Sequence, residues 1–129
     1  MKKPHTKAED IVPLPRHSEN FKVNMMISYI EKHWNDTIEL EEIAQWAGST
    51  PCYASALFSK TMCMTLVQYM NVFRINKGSI LLIESDMTTK DISTYCGFQN
   101  SSYFIRIFHS LSGTTPKEYR KQNKPDLIH

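Results

Sequence analysis

The sequence has no long apolar run and few glycines or cysteines. Its longest purely aliphatic stretch is the four-residue segment 80–83, whereas crossing a bilayer takes about 20 residues. Lys2 and Lys3 resemble the start of a signal peptide, but no apolar stretch follows them. We therefore expect a soluble chain that is not exported and has no membrane partner.

The three cysteines, Cys52, Cys63 and Cys96, are an odd number and form no C-x-x-C pair. No histidine lies at zinc-finger spacing from two of them, so a disulfide framework and a structural zinc site are not expected. Reduced thiols fit a cytoplasmic protein. Cys96 has core spacing, and Cys52 is the one thiol that we expect at the surface.

Catalytic motifs are also missing. The chain contains no glycine-rich phosphate loop, no G-x-S-x-G and no H-E-x-x-H. Its five histidines are scattered, and Glu39, Glu41 and Glu42 have the pattern of a helix start rather than of an acid–base pair. We expect no enzymatic activity, no cofactor and no metal.

What remains is an ordinary globular composition with an uneven charge. The 129 residues, 41% hydrophobic and 22% charged, suggest one domain or two very small ones sharing a core. Residues 31–59 carry one basic and five acidic side chains, whereas residues 60–124 carry nine basic and four acidic ones. A basic C-terminal half can meet a polyanion with one face.

Apolar residues recur at steps of three and four, which predicts helices. Helix-capping residues stand at Thr50, Thr65, Thr88, Asn100 and Thr115, two of them followed by proline. Strand alternation is absent, so we predict an all-α fold with about seven helices. The predicted helices cover about 21–34, 39–48, 51–60, 66–84, 89–97, 101–111 and 116–121.

An internal repeat is the most informative feature of the sequence. The segment 43–48 returns as 92–97, 49 residues later, and both copies end in glycine. From there the offset is 50, so Tyr53, Phe58, Thr65 and Tyr69 match Tyr103, Phe108, Thr115 and Tyr119. Each copy has a short helix, a glycine turn that requires positive φ, and a second helix, which is typical of a helix-turn-helix.

The repeat predicts the organisation of the chain. The parts are a flexible N-terminal arm (1–20), a first helix-turn-helix subdomain (21–64), a linker helix (65–85), a second subdomain (86–123) and a tail (124–129). A linker of about 19 residues is roughly 28 Å long, which could set two recognition helices about one DNA turn apart. Gly78 inside the linker helix costs about 1 kcal/mol relative to alanine, so we expect close packing there.

The second copy carries residues that identify a known family. It has the pair Gly97-Phe98, the aromatic pair Tyr103-Phe104, then Arg106, and the ending Gly113-x-x-Pro116-x-x-Tyr119-Arg120. In order and spacing these residues resemble the DNA-binding domain of AraC/XylS-type bacterial transcription regulators, over about residues 22–122. The resemblance implies a cytoplasmic protein that binds double-stranded DNA and activates or represses a promoter. It often implies contact with RNA polymerase.

The first copy departs from this pattern. Its outward candidates are Cys52, Ser55 and Ala56, where the family often has large polar or basic side chains. Ala54 and Cys63 stand where the family prefers leucine and glycine. We therefore expect the first unit to bind mainly through backbone, serine and Lys60 contacts, and the second unit to supply most of the base readout.

Candidate DNA-binding residues follow from these helices. Arg106 can bond guanine O6 and N7, and Ile105 can touch a thymine methyl. Asn100 is better explained as a cap, and Ser101 and Ser102 are equally well explained as caps or surface residues. Arg120 is either a phosphate contact or a structural ion-pair partner. The full set is Cys52, Ser55, Ala56, Lys60, Gln99, Asn100, Ser101, Ser102, Ile105, Arg106, His109, Arg120 and Lys121, with Lys117 as a further phosphate candidate.

The aromatic residues and the first copy of the repeat each allow two interpretations. The aromatic residues Tyr53, Tyr103, Phe104 and Phe108 have core spacing, so we interpret them as packing residues rather than as base-stacking ones. The degenerate first copy also fits a helical adaptor that binds a protein partner and has little affinity for DNA. The sequence names neither an effector ligand nor an operator.

Overall fold

The computed structural model describes residues 10–123, and within that range it contains seven helices and no strand. The predicted all-helical class is confirmed. The helices are α1 Phe21–His33, α2 Leu40–Trp46, α3 Pro51–Met62, α4 Leu66–Glu84, α5 Thr89–Tyr95, α6 Ser101–Ser112 and α7 Pro116–Asn123. None of these helices has the length and apolar character needed to cross a membrane. The predicted tail, 124–129, lies outside the described residues.

The chain divides into two compact units. We call residues 14–74 the N-terminal unit; the C-terminal unit consists, in its described part, of residues 10–13 and 75–123. The division falls inside α4, between Arg74 and Ile75. The helix predicted as a linker therefore supplies residues to both units.

Buried apolar side chains from α1, α2, α3 and the first half of α4 form the core of the N-terminal unit. Phe58 and Tyr69 pack edge to face, with ring centroids 5.3 Å apart, an arrangement that suits the aromatic quadrupoles. The other buried apolar residues are Leu14, Val23, Met26, Ile27, Ile30, Ile43, Ala44, Ala47, Ala54, Leu66, Val72 and Phe73.

A row of aromatic rings forms the core of the C-terminal unit. Phe104 lies 5.2 Å from Phe98 and 5.8 Å from Phe108, and Phe108 lies 5.5 Å from Tyr119. A Cβ atom added to Gly78 would lie 3.1 Å from Phe104 Cε1. This confirms the close packing expected at Gly78, since any side chain there would press on the ring.

Each unit contains an arginine that binds the backbone where a helix ends. Arg74, 9% exposed, donates through Nε to the Trp34 carbonyl at 2.6 Å and through Nη2 to the Asp36 carbonyl at 2.8 Å. Arg120 donates to the carbonyls of Leu82, Ser85 and Met87 at 2.7–3.1 Å. The last carbonyls of a helix have no partner within it, and the planar guanidinium satisfies several at once.

The flexible arm predicted over 1–20 stays a prediction; the structure describes residues 10–20 of it, which make long-range hydrogen bonds, and residues 1–9 lie outside the described range. In the C-terminal unit, the buried Asn76 amide exchanges two hydrogen bonds with the backbone of Val12, both 3.0 Å long. In the N-terminal unit, the Tyr69 hydroxyl donates to the Pro15 carbonyl at 2.7 Å, and Leu14 is buried. The buried side chains Asn76 and Tyr69 need polar partners, and this extended segment supplies them.

The thiols are placed almost as predicted. Cys96 is buried and Cys52 is exposed, but Cys63 is also exposed, so the expectation that only Cys52 reaches the surface is wrong. Cys63 ends α3 in the left-handed conformation, with φ 61°, and that position lies outside the helical packing.

Candidate nucleic-acid interface

Both units contain the short helix, glycine turn and second helix that the repeat predicts. In the N-terminal unit, Gly48 has φ 68° and the Ser49 amide donates back to the Ala44 carbonyl at 2.9 Å. The Lys22 ammonium also donates to the carbonyls of Ala47 and Gly48, at 3.1 and 3.0 Å. The sequence gives no signal for this contact, because Lys22 lies on α1, far from the turn along the chain.

The C-terminal unit repeats the same turn. Gly97 has φ 93°, and the Phe98 amide donates to the Ser93 carbonyl at 3.0 Å. Glycine has no Cβ and adopts such φ values freely. Hydrogen bonds like that of the Phe98 amide satisfy the last carbonyls of the short helix. The turn therefore fixes where α6 begins relative to α5.

Asn100 is confirmed as a helix cap. Its Oδ1 accepts from the Tyr103 amide at 2.7 Å, and the matching residue Thr50 accepts from the Tyr53 amide at 3.3 Å. Asn100 is exposed, and its Oδ1 already accepts one hydrogen bond as the cap of α6. Gln99 lies beside it and is exposed.

The outward side of α6 carries most of the predicted reading residues. Ser102, Ile105, Arg106 and His109 are exposed, and Ser101 is half-buried. The Arg106 guanidinium lies over the Tyr103 ring, 5.0 Å from its centroid, a cation–π contact that orients the side chain. Arg106 is therefore accessible and held in place; its contact with DNA stays a prediction.

The outward side of α3 differs from its predicted composition by one residue. Cys52, Ala56 and Lys60 are exposed and Ser55 is half-buried. Tyr53, which we predicted to be a packing residue, is 56% exposed, so that prediction is wrong. Tyr53, Ala56 and Lys60 are spaced by three and four residues, which places them on one face of the helix.

The neighbours of Tyr53 explain its exposure. The matching Tyr103 is flanked by the Phe98 ring, 5.8 Å away, and by the Arg106 guanidinium. At the positions of Phe98 and Arg106, the first copy has Ser49 and Ala56. Neither has a ring or a long side chain that could cover Tyr53. The sequence contained this signal, because both small residues were visible in the repeat.

The basic candidates fall into two groups. Lys60, His109, Lys117 and Lys121 are exposed and are free to approach phosphate. Arg120 is half-buried and engages the three backbone carbonyls described above. Of the two interpretations left open for Arg120, its contacts favour the structural one, with carbonyls in place of the ion-pair partner that we considered.

Among the described residues, no group of three or more histidine, cysteine or acidic side chains is placed to hold a metal ion. The outward sides of α3 and α6 offer hydrogen-bond donors, small apolar groups and positive charge. These are the groups that contact phosphates and base edges in protein–DNA complexes.

Comparison with known proteins agrees with this geometry. The family described as "Helix-turn-helix domain" matches residues 43–122. The melibiose operon regulatory protein of Escherichia coli (strain K12) is 31% identical over 106 residues, which cover 82% of this chain and 35% of that protein. The chain thus spans about a third of the length of this curated relative.

Two solved structures share the fold. One is a transcriptional regulator with an AraC-type DNA-binding domain from Chromobacterium violaceum, with a TM-score of 0.75 and 22% identity over 81% of this chain and 94% of that one. The other is the DNA-binding domain of AdpA in complex with a target DNA, with a TM-score of 0.73 and 18% identity over 80% of this chain and 93% of that one.

Fold, repeat and turn geometry together define a helix-turn-helix protein. More narrowly, the chain belongs to the AraC-type helix-turn-helix family, whose match covers both turns and both second helices.

Proposed function

We propose that this chain binds DNA sequence-specifically in the regulation of bacterial transcription, and that each unit places its second helix in a major groove. The observation that carries the proposal is Arg106, which is exposed on α6 and oriented by Tyr103 at 5.0 Å. The Asn100 cap and the turn at Gly97 fix where that helix begins. The name of the AdpA complex states that a protein of the same fold binds DNA.

Base discrimination comes mainly from the C-terminal unit in this proposal. A guanidinium fits guanine O6 and N7 as a bidentate donor, which discriminates between bases by about 1–3 kcal/mol. Ile105, 39% exposed, is an apolar side chain beside Arg106 that can touch a thymine methyl. Ser101 and Ser102 are placed to bond phosphate or base edges at the start of α6.

Phosphate contacts supply affinity and register. Lys60, His109, Lys117 and Lys121 are exposed, and each phosphate that a lysine neutralises releases a counterion. The amides of the first turn of α6, which begins at Ser101, attract phosphate as well, and the exposed Gln99 lies just before them. We leave Arg120 out of this set because its guanidinium binds backbone carbonyls.

We further propose that the two units occupy adjacent major grooves, so that one chain does what other helix-turn-helix proteins do as dimers. The repeat itself supports this, since both copies present a capped second helix. The role at bacterial promoters is proposed by analogy with the longer melibiose operon regulator, and so is a cytoplasmic location, where the chromosome lies. The proposal assigns binding and not catalysis to the chain. Contact with RNA polymerase is an extension for which we assign no residue.

Selection from a pool of random duplexes tests the proposal. We expect the chain to enrich a defined site and to lose affinity steeply as salt is raised. Arg106→Ala should lose preference at one or two base pairs. Lys121→Ala should lower the affinity for all duplexes about equally. It should also reduce by about 1 the slope of the logarithm of the binding constant against the logarithm of the salt concentration.

Lys32→Ala is the matched control, because Lys32 is exposed but lies on α1. It removes the same charge and should leave site preference unchanged. An unchanged preference in Arg106→Ala would contradict the assigned readout. Failure of the wild-type chain to bind any duplex in a salt-dependent way would favour the protein-binding adaptor instead.

A further inference from the structure

We propose that α3 of the N-terminal unit reads thymine methyl groups, so that its half of the DNA site is rich in A·T pairs. The inference rests on the proposed function and specifies the base class that this helix accepts. It starts from the finding that contradicted the sequence analysis, the 56% exposure of Tyr53.

The first half of the outward face of α3 is mainly apolar, with the half-buried Ser55 at its side. Cys52, Tyr53 and Ala56 are exposed along it, and the buried Ala54 and Phe58 lie on the opposite side of the helix. A methyl, a thiol and an aromatic ring contact apolar groups rather than hydrogen-bonding edges. In the major groove, the C5-methyl of thymine is the apolar group that a base pair presents.

The repeat makes the contrast with α6 specific to one position. Ala56 stands where the second copy has Arg106, 50 residues later. A guanine facing Arg106 gains two donors for O6 and N7, whereas a guanine facing Ala56 would lose water from both acceptors and gain nothing. Since an unpaired buried acceptor costs about 1–3 kcal/mol, α3 disfavours guanine at this position and accepts a methyl group.

Tyr53 and Lys60 complete the face. The Tyr53 ring lacks the flanking side chains that cover Tyr103, so it is free to contact a methyl, and its hydroxyl can reach a phosphate. Lys60, two turns further along α3, is exposed and can bond the backbone. The N-terminal unit thus combines apolar base contacts with polar phosphate contacts.

Replacing thymine by deoxyuridine tests this inference directly, because the change removes the C5-methyl and keeps the pairing edge. The probe is the duplex enriched by the wild-type chain, with each thymine replaced in turn. The half of the site whose preference changes in Arg106→Ala is assigned to α6, and the other half to α3. In the α3 half we expect binding to weaken about fourfold for each contacted methyl.

Two variants assign the effect to side chains. Ala56→Gly removes the methyl on the protein, and Tyr53→Ser removes the ring but keeps a hydroxyl; each should abolish the deoxyuridine effect at one position. Tyr95→Ser is the control, since Tyr95 is 50% exposed but lies on α5. The readout is the ratio of thymine to deoxyuridine affinity within one protein, which a loss of stability does not change.

The possible outcomes separate the inference from the function. Specific binding with no deoxyuridine effect in the α3 half, or a guanine preference there, overturns the inference and leaves the proposed function standing. An α3 half of arbitrary sequence overturns it as well. Absence of any specific site overturns both.

Discussion

The first turn of α4 and the first turn of α7 are closed by the same pair of hydrogen bonds. In the N-terminal unit, the backbone amide of Gln68 donates to Thr65 Oγ1 at 3.0 Å. The backbone amide of Thr65 donates to the side-chain oxygen Oε1 of Gln68 at 2.8 Å. In the C-terminal unit, Thr115 and Glu118 make the same exchange at 3.1 and 3.2 Å. The glycine turns and the caps of α3 and α6 match in the same way.

Outside this frame the two units differ. Ala56 replaces Arg106, Ser49 replaces Phe98, and the left-handed residue after α3 is Cys63, where α6 has a glycine. The comparison teaches that the hydrogen-bonded frame sets the position of a recognition helix, while its outward side chains are free to change. Two copies of one frame can therefore read different bases.

The largest expected effect concerns the arginines that both units need. We expect Arg74→Ala to lower the free energy of unfolding by about 3 kcal/mol, because it removes a buried guanidinium and leaves two part-buried carbonyls without their donor. Arg120→Ala should cost about 2 kcal/mol, since Arg120 is only half-buried and water can replace it in part. Denaturant unfolding measures both, with Lys60→Ala as the surface control, and losses no larger than the control's would contradict this role.

The second prediction concerns Ser93 and Ala44, which occupy matching positions of the repeat. Ser93 is 1% exposed, and its hydroxyl has no hydrogen-bond partner among the described residues. Ser93→Ala should stabilise the protein by about 1–2 kcal/mol, and Ala44→Ser should destabilise it by a similar amount. Thermal unfolding of both variants checks the pair. A destabilised Ser93→Ala would mean that the hydroxyl has a partner after all.

The third prediction exchanges the left-handed residues. Cys63, with φ 61°, strains its backbone, whereas Gly113 adopts φ 82° freely. Cys63→Gly should stabilise by about 1 kcal/mol, and Gly113→Cys should destabilise by about the same amount. A Cβ at Gly113 would meet no atom within 4 Å, so a steric clash does not contribute to the change in unfolding free energy. Equal stability of the wild type and these two variants would refute the strain argument.

The smallest expected effect is a pH dependence that the cap of α7 has and the cap of α4 does not. Hydrogen bonds from the Thr115 amide, then from the Thr114 and Thr115 hydroxyls, lower the pKa of Glu118 below its usual value of 4.5. The cap of α7 therefore stabilises the protein above that value and is lost as pH falls through the lowered pKa. Gln68 does not titrate, so the cap of α4 should persist.

The amide resonances of Thr115 and Thr65, followed by NMR during acid titration, measure this difference. We expect the Thr115 amide to shift with Glu118 and the Thr65 amide to stay in place. Glu118→Gln should make the two caps behave alike. A Thr115 shift that survives this substitution would show that another group titrates there.

Local signals explain how much of the fold the sequence predicts. The bounds of α4 and the caps at Thr50, Asn100 and Thr115 follow from residues close in the chain, and capping is a local interaction. The close approach at Gly78 follows as well, because a glycine inside a helix needs a packing reason.

Long-range contacts explain what the sequence does not predict. Arg74 and Arg120 perform the same task but lie 46 residues apart, one helical turn short of the 50-residue repeat, and their carbonyl partners lie on other segments. The exposure of Tyr53 depends on what flanks its ring rather than on its helical spacing. In the same way, the predicted arm could not be seen to pair with Asn76, whose partner lies 64 residues away.

The central claim is that Arg106 reads a guanine that the first copy, with Ala56, does not read. Replacing each guanine of the selected duplex by 7-deazaguanine, which lacks the N7 acceptor, tests this claim most directly. We expect one of these substitutions to lower the affinity of the wild-type chain for the duplex about tenfold and to leave the affinity of Arg106→Ala unchanged. The account would be contradicted if that substitution lowered the affinity of Arg106→Ala as much as that of the wild type. It would also be contradicted if no guanine substitution changed the affinity of either protein.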